Sequence, residues 1–375
     1  MRALVIGGTG PTGPLVVQGL RERGYRVAIL HRGTHEVELP SDVEHIHGDA
    51  HFAETLAEAL GPRTFDLVLA MYGRLRYVAE VMRGRTPRLI GLGGVAVYRG
   101  WFHPDQDGNS LPFPIPEDAP LQTNPQVDTF SYLMVQSEQA VMAGHREGHY
   151  QATVLRFPMV YGPRQLIPAE WSILRRILDG RKQVIVPEGG LVLETRGYAE
   201  NMAHGILLCV DHPQESAGQV YNIGDEQVFS LADWIALITR IMGHRWEMVA
   251  MPALLARPAG PYGLWARTSV FQLGQLHHRV MDLTKIKTQL GYRDVVPAPE
   301  GLRRTTEWYL QHPPERGGEI EQRLQDPFDY EAEDRLISAY QASLEPLLKL
   351  TRGDRWRHPY PHPKKPGLLR DEAGR

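Results

Sequence analysis

The chain has 375 residues, a formal net charge of −3 at pH 7 and a single cysteine, Cys209. That length exceeds a usual single domain and can bury a large core; the near-neutral charge argues against a dedicated nucleic-acid binder, and one cysteine excludes a disulfide framework. No leader precedes the first apolar run and no run reaches the length of a membrane span, so a cytoplasmic protein with no membrane partner is expected.

The chain opens on MRALVIGGTGPTG. Arg2 to Ile6 is short, apolar and β-branched, and reads as a buried strand. It breaks at Gly7-Gly8-Thr9-Gly10-Pro11-Thr12-Gly13, and an amphipathic helix follows from Pro14 to Arg23, ended by Gly24. Strand, glycine turn and helix in this order are the context in which such a motif binds a dinucleotide. Gly7 allows the tight turn, Gly10 lets backbone approach a pyrophosphate, and Gly13 lets the helix pack close to the strand. Pro11 and Thr12 complete a turn whose free N–H groups and helix dipole favour phosphate.

Arg26 to Leu30 reads as the second strand and runs into His31-Arg32-Gly33. An acidic residue here would bond the ribose 2′-hydroxyl of NAD, whereas the arginine fork suits a 2′-phosphate. Arg32 therefore favours NADP(H), with NAD(H) kept open by Glu36. Val43 to His47, Phe65 to Met71, Arg88 to Leu92 and Ala152 to Arg156 are the further strands. FDLVLAM is apolar throughout, as a strand covered on both faces must be. The alternation implies a parallel, doubly wound sheet with its ligand at the strand C-termini. Cys209, in the apolar run Ile206 to Val210, reads as a packing residue.

The spacing G-x-x-G-x-x-G, with VAVYRG, TVLRFPMVYGPRQ, VYNIGDE and LGYRDVVPAPEGLRRTTEWY after it, resembles the extended short-chain dehydrogenase/reductase family of sugar-nucleotide epimerases and dehydratases. The resemblance covers about Met1 to Pro314. It implies an α/β fold: a doubly wound parallel Rossmann sheet, a smaller α/β substrate domain and a C-terminal helical extension. The expected parts are residues 1–165 for the dinucleotide domain (with 196–228 returning to it), 166–314 for substrate and 315–375 for a helix and a basic, proline-rich tail. By the same resemblance Asp49 contacts adenine, Ala70, Met71 and Tyr72 meet the cofactor where the fourth strand ends, Gly93 is a further cofactor residue, and Phe157, with Pro158 and Met159, stands on its nicotinamide side. His45, His47 and His51 flank Asp49, but the family explains that aspartate without a metal, and none is expected.

The family's proton relay is not conserved in type. Its Ser or Thr before VYG falls on Gly94, which has no hydroxyl to offer a substrate. Its Y-x-x-x-K falls on Thr129-Phe130-Ser131-Tyr132-Leu133-Met134-Val135-Gln136-Ser137-Glu138 in one of two registers. Tyr132 is the family tyrosine and Gln136 replaces lysine; or Glu138 is the family glutamate, and Phe130 and Met134 replace the pair. Neither register supplies the lysine that lowers the phenol pKa. An unassisted phenol is only about 0.1% ionised at neutral pH. Tyr132, Ser131 and Tyr98 are the catalytic candidates by position, and Tyr72 and His103 lie on loops expected to face the cleft.

In the second half, Glu170 to Gly180 reads as a helix, Val184 to Val186 as a strand, Leu231 to Met242 as a helix and Gly301 to Leu310 as the family's closing helix. Arg196 matches the arginine that meets a nucleotide diphosphate, and Asn201 replaces the aspartate that caps the next helix. The insert Pro252 to Arg279, with Tyr262, Trp265 and Arg267, falls where relatives line the substrate pocket. Asp329 to Leu344 is an amphipathic helix that Pro346 ends or kinks. The tail from Thr351 interleaves basic and aromatic residues, a pattern that can bind single strands but here reads as a stiff arm.

These observations point to an NAD(P)-dependent epimerase, dehydratase or reductase with a non-standard acid/base site. Its substrate is a polar or nucleotide-linked small molecule, bound toward Gly94, His103, Arg196 and Trp265, and a homodimer is expected. A redox-inactive NAD(P)-binding sensor or scaffold, and an RNA-associated family member, are the alternatives.

Overall fold

A computed structural model describes residues 1–34, 37–71, 73–102, 112–256, 277–351 and 365–367. In chain order the first half runs β1 (Arg2–Ile6), α1 (Gly13–Glu22), β2 (Arg26–His31), β3 (Glu44–His47), α2 (Ala53–Leu60), β4 (Leu67–Ala70), α3 (Leu75–Val81), β5 (Arg88–Gly94), α4 (Thr129–Arg146), β6 (Gln151–Phe157) and β7 (Met159–Tyr161). Then come α5 (Ala169–Leu178), β8 (Gln183–Pro187), β9 (Leu193–Glu194), β10 (Arg196–Tyr198), α6 (Ala199–Asp211), β11 (Gln219–Asn222), β12 (Phe229–Ser230), α7 (Leu231–Ile241) and β13 (Glu247–Met251). The last elements are α8 (Thr284–Leu290), α9 (Ala298–Gln311), α10 (Glu319–Leu324) and α11 (Tyr330–Thr351).

Seven strands form one sheet in the order β11-β6-β5-β4-β1-β2-β3. Every pairing in it is parallel. The chain leaves β1 toward one edge through β2 and β3, then returns to start β4 on the other side. That reversal opens a crevice at the strand C-termini, where doubly wound folds hold their ligands. All four residues of β4 are buried, as the apolar run predicts. On one face Val16, Val17 and Leu20 of α1 pack with Met202, Ile206 and Cys209 of α6. On the other, Leu56 and Leu60 of α2 pack with Val78 and Ala79 of α3. A third core joins Trp171 and Leu174 of α5, Val184 and Val186 of β8, Trp234 of α7 and Tyr309 of α9.

The structure divides into two compact units, Met1–Phe328 and Asp329–Arg375. The sequence pattern ends the last helix near Pro346, but α11 continues through it to Thr351. Proline removes one i→i−4 bond and crowds one carbonyl. The Glu345–Lys349 ion pair, 3.1 Å, bridges that turn. Among the described residues, no helix is long and apolar enough to cross a membrane. Most of the basic, aromatic tail lies outside the described residues.

Candidate cofactor and substrate site

The glycine turn is built as its spacing predicts. Gly7 has φ +85°, a left-handed conformation that a side chain resists, and its N–H donates to Leu30 O at 2.8 Å. A Cβ on Gly13 would stand 2.1 Å from Gly8 O, so α1 can sit this close to the turn only without one. A Cβ on Gly10 would meet nothing within 4 Å. The turn thus presents backbone to open space, backed by the N-terminus of α1, which is the geometry a diphosphate needs.

That space is a cleft of about 580 Å³. Gly7, Gly10, Pro11 and Thr12 line it together with Arg32, Met71 and Phe157. Its lining also includes Arg323 and, among the described residues, no carboxylate. Ala70 is buried at the end of β4. Asp49 lies just beyond β3, where the His51 amide at 2.9 Å and imidazole at 2.7 Å donate to Oδ1. The amide bond first, then the ring and Arg32, hold its carboxyl below the usual range. His31 Nδ1 accepts from the Gly33 amide at 3.1 Å, and its Nε2 lies 3.1 Å from His45 Nδ1. Glu36, Tyr72, His103, Tyr262, Trp265 and Arg267 lie outside the described residues.

An ion pair that sequence spacing does not display orients α4 against β6. Arg156 on β6 binds Glu138 through Nη2–Oε1 at 2.6 Å and Nε–Oε2 at 3.0 Å, both side chains almost wholly buried. The same arginine donates to Tyr98 Oη at 2.8 Å and to Glu117 O at 2.7 Å. Residues four and eight positions before Glu138 share its side of the helix. These are Met134 and Phe130, and with Leu133 they line a second space beside Leu92 and Gly93. Tyr132 lies two residues round from Phe130 and is not part of that lining. A Cβ on Gly94 would stand 2.7 Å from Met134 Cε, so the methionine tip occupies the place of a residue-94 side chain.

The other two catalytic candidates are held elsewhere. Ser131 is buried and its hydroxyl donates to Asp128 Oδ2 at 2.6 Å, within the N-cap of α4. Tyr98 is fully buried and donates to Asn222 Oδ1 at 2.6 Å. Burial pushes its phenol up to about 12, against the Arg156 charge.

A separate, small pocket of about 60 Å³ lies in the second half, lined by Glu170, Glu194, Arg196, Trp234 and Arg279 among others. The Arg196 guanidinium stacks 4.6 Å from the Trp234 ring, with Nη2 3.5 Å from Glu194. Arg279 reaches the same carboxylate at 3.7 Å. Burial drives Glu170 up, and it accepts from Trp234 Nε1 at 3.1 Å. Asn201 does not cap α6: Tyr198 is the N-cap residue, without a side-chain cap. Asn201 instead donates to Asp225 Oδ1 at 2.8 Å and accepts from the Val295 and Val296 amides, because it lies inside the first turn and faces that loop.

Residues 75–224 match the family model described as "NAD dependent epimerase/dehydratase family". An Arabidopsis thaliana 3beta-hydroxysteroid-dehydrogenase/decarboxylase, isoform 2, is 26% identical over 204 residues, 48% of this chain and 35% of that protein. The chain thus spans about a third of that relative's length, and about half of the others of comparable similarity. A solved UDP-glucose 4-epimerase from Thermotoga maritima, with UDP-glucose, superposes with TM-score 0.66 at 21% identity, over 83% of this chain and 99% of that one. A UDP-glucuronic acid 4-epimerase from Bacillus cereus, solved with UDP-glucuronic acid and NAD, gives 0.63 at 19% identity over 83% and 100%. Residues 75–224 therefore carry the likeness to the NAD-dependent epimerase/dehydratase family, and the chain has the Rossmann fold of those epimerases.

Proposed function

We propose that the chain binds NAD(P)(H) in the cleft, with the pyrophosphate on the Gly7–Gly13 turn and the adenosine end toward Arg32 and Asp49. It acts as an epimerase-, dehydratase- or reductase-type enzyme on a polar or nucleotide-linked small molecule. The carrying observation is the cleft itself. It runs from an intact glycine turn to Leu92 and Phe157 and has two arginines and no carboxylate in its described lining. That charge balance supports NADP(H) over NAD(H). A nicotinamide bound there supplies a hydride donor or acceptor. The pocket with Arg196 and Arg279 is the proposed place for an anionic part of the substrate. Tyr72 and His103 are the proposed proton carriers, since Phe130 and Met134 have no proton to move. A homodimer completes the reading.

The test is to identify the nucleotide retained by the purified protein, titrate NADPH and NADH calorimetrically, and screen substrates by nicotinamide absorbance. Saturable binding with turnover lost in Tyr72→Phe or His103→Ala supports the enzyme; binding of neither nucleotide overturns it. A second reading, a redox-silent NAD(P)-binding sensor, is favoured by the Met134 methyl over Gly94. Tight binding with no turnover over a broad substrate screen selects it.

A further inference from the structure

Arg323 reaches the dinucleotide cleft from outside the family frame. It lies beyond Pro314, where the resemblance ends, and beyond the matched residues 75–224. It shares the cleft lining with Gly10, Thr12 and Arg32. Its helix, α10, has six residues, too few to stand without tertiary support.

That support is unusually firm. Glu321 accepts from Trp171 Nε1 at 2.9 Å and from the Gly317 amide at 2.7 Å, and pairs with Arg175. Leu324 is fully buried. Asp326 binds Arg176 at 2.6 Å, with side chains 0% and 1% exposed, and accepts from Ser172. Gln325 at φ +54° and Phe328 at φ +46° hold left-handed backbone, which persists in non-glycine residues when the surroundings fix it. Two buried ion pairs therefore pin residues 319–328 to α5. On that mount the Arg323 side chain, 30% exposed, stands at the cleft. It also pairs with Glu319, which is 67% exposed. An exposed i,i+4 pair is weak, whereas arginine bonds a phosphate through two charge-assisted donors.

We propose that Arg323 binds a phosphate of the dinucleotide, so that the C-terminal segment of the first unit completes the cofactor site. The inference rests on the cofactor reading above. It is tested by calorimetric titration of NADPH and NADH into the full chain and into Arg323→Ala and Glu319→Gln, at low and high salt. Arg323→Ala is expected to weaken binding about tenfold at low salt, and less at high salt, with an unchanged melting temperature. An equal loss for both nucleotides assigns the pyrophosphate, and a loss confined to NADPH assigns the 2′-phosphate; either supports the proposal. Glu319→Gln should bind at least as tightly as the parent. Unchanged affinity in Arg323→Ala, a salt-independent loss, or an equal loss in Glu319→Gln overturns it. A parent protein that binds neither nucleotide overturns the cofactor reading instead.

Discussion

The glycine turn lines the cleft, the face of α4 with Phe130 and Met134 lines the second space, the two share Leu92, and they are built on opposite terms. The turn works through backbone: Gly7 adopts φ +85°, Gly13 makes room for Gly8 O, and no side chain carries the function. The α4 face presents side chains, Phe130, Leu133, Met134 and Ser137, with Met134 filling the space above Gly94. Binding geometry and proton chemistry are thus separable in this fold. The first needs a chain path, the second needs particular atoms on that path.

The comparison breaks most severely at Glu138. Glu138→Gln leaves the buried Arg156 without a charged partner, and such losses cost about 3–5 kcal/mol. Chemical denaturation should show that drop. A change under about 1 kcal/mol would mean that α4 is placed by apolar packing instead. At the other end, Gly13→Ala puts a Cβ against backbone that no rotamer change relieves. A cost of about 1–3 kcal/mol is expected, with nucleotide affinity falling at least about tenfold. Normal affinity in that variant would show the turn is not the phosphate cradle. Arg32→Ala sharpens the cofactor end alone: NADPH should weaken about tenfold while NADH changes little. Equal loss of both would remove Arg32 as reader of the 2′-phosphate.

The smallest effect lies away from both regions and serves as a reference. Burial, with Asp225 and Glu226 nearby, pushes the Asp294 carboxyl up to about 7. The folded protein therefore holds this proton more tightly than the unfolded chain. Its contribution to stability is full below about pH 4 and is lost as pH rises through about 7. Asp294→Asn should flatten the fall in melting temperature across that window, by a modest amount because the group is partly solvated. Parallel pH profiles for variant and parent would discount this group.

The turn is legible in the sequence because glycine spacing encodes backbone directly. The sheet is legible for a related reason: strands covered on both faces read as unbroken apolar runs, as in β4. The face that α4 turns to the sheet is not, because two alignments fit the letters and the contact that orients the helix, Glu138 to Arg156, spans 18 residues of chain. α10 leaves no periodic trace in six residues, and its partners Trp171, Arg175 and Arg176 lie about 150 residues earlier. Asn201 reads as a cap from its neighbours' pattern, whereas its place one turn into α6 depends on where the preceding strand stops. Local geometry is written locally, while ion pairs and cap positions are settled only when distant segments meet.

The contact between Met134 and position 94 makes the order of change matter. A serine installed at 94 while Met134 remains would meet the methionine methyl. A lysine installed at 134 while Gly94 remains would set an ammonium among Leu92, Phe130 and Leu133 with no hydroxyl beside it. The Met134 methyl is the end of a flexible side chain and can turn aside, so the first step costs little, whereas the second sets a charge against apolar groups. The order that follows is a hydroxyl at 94 first, then changes at 130 and 134 that have that hydroxyl beside them.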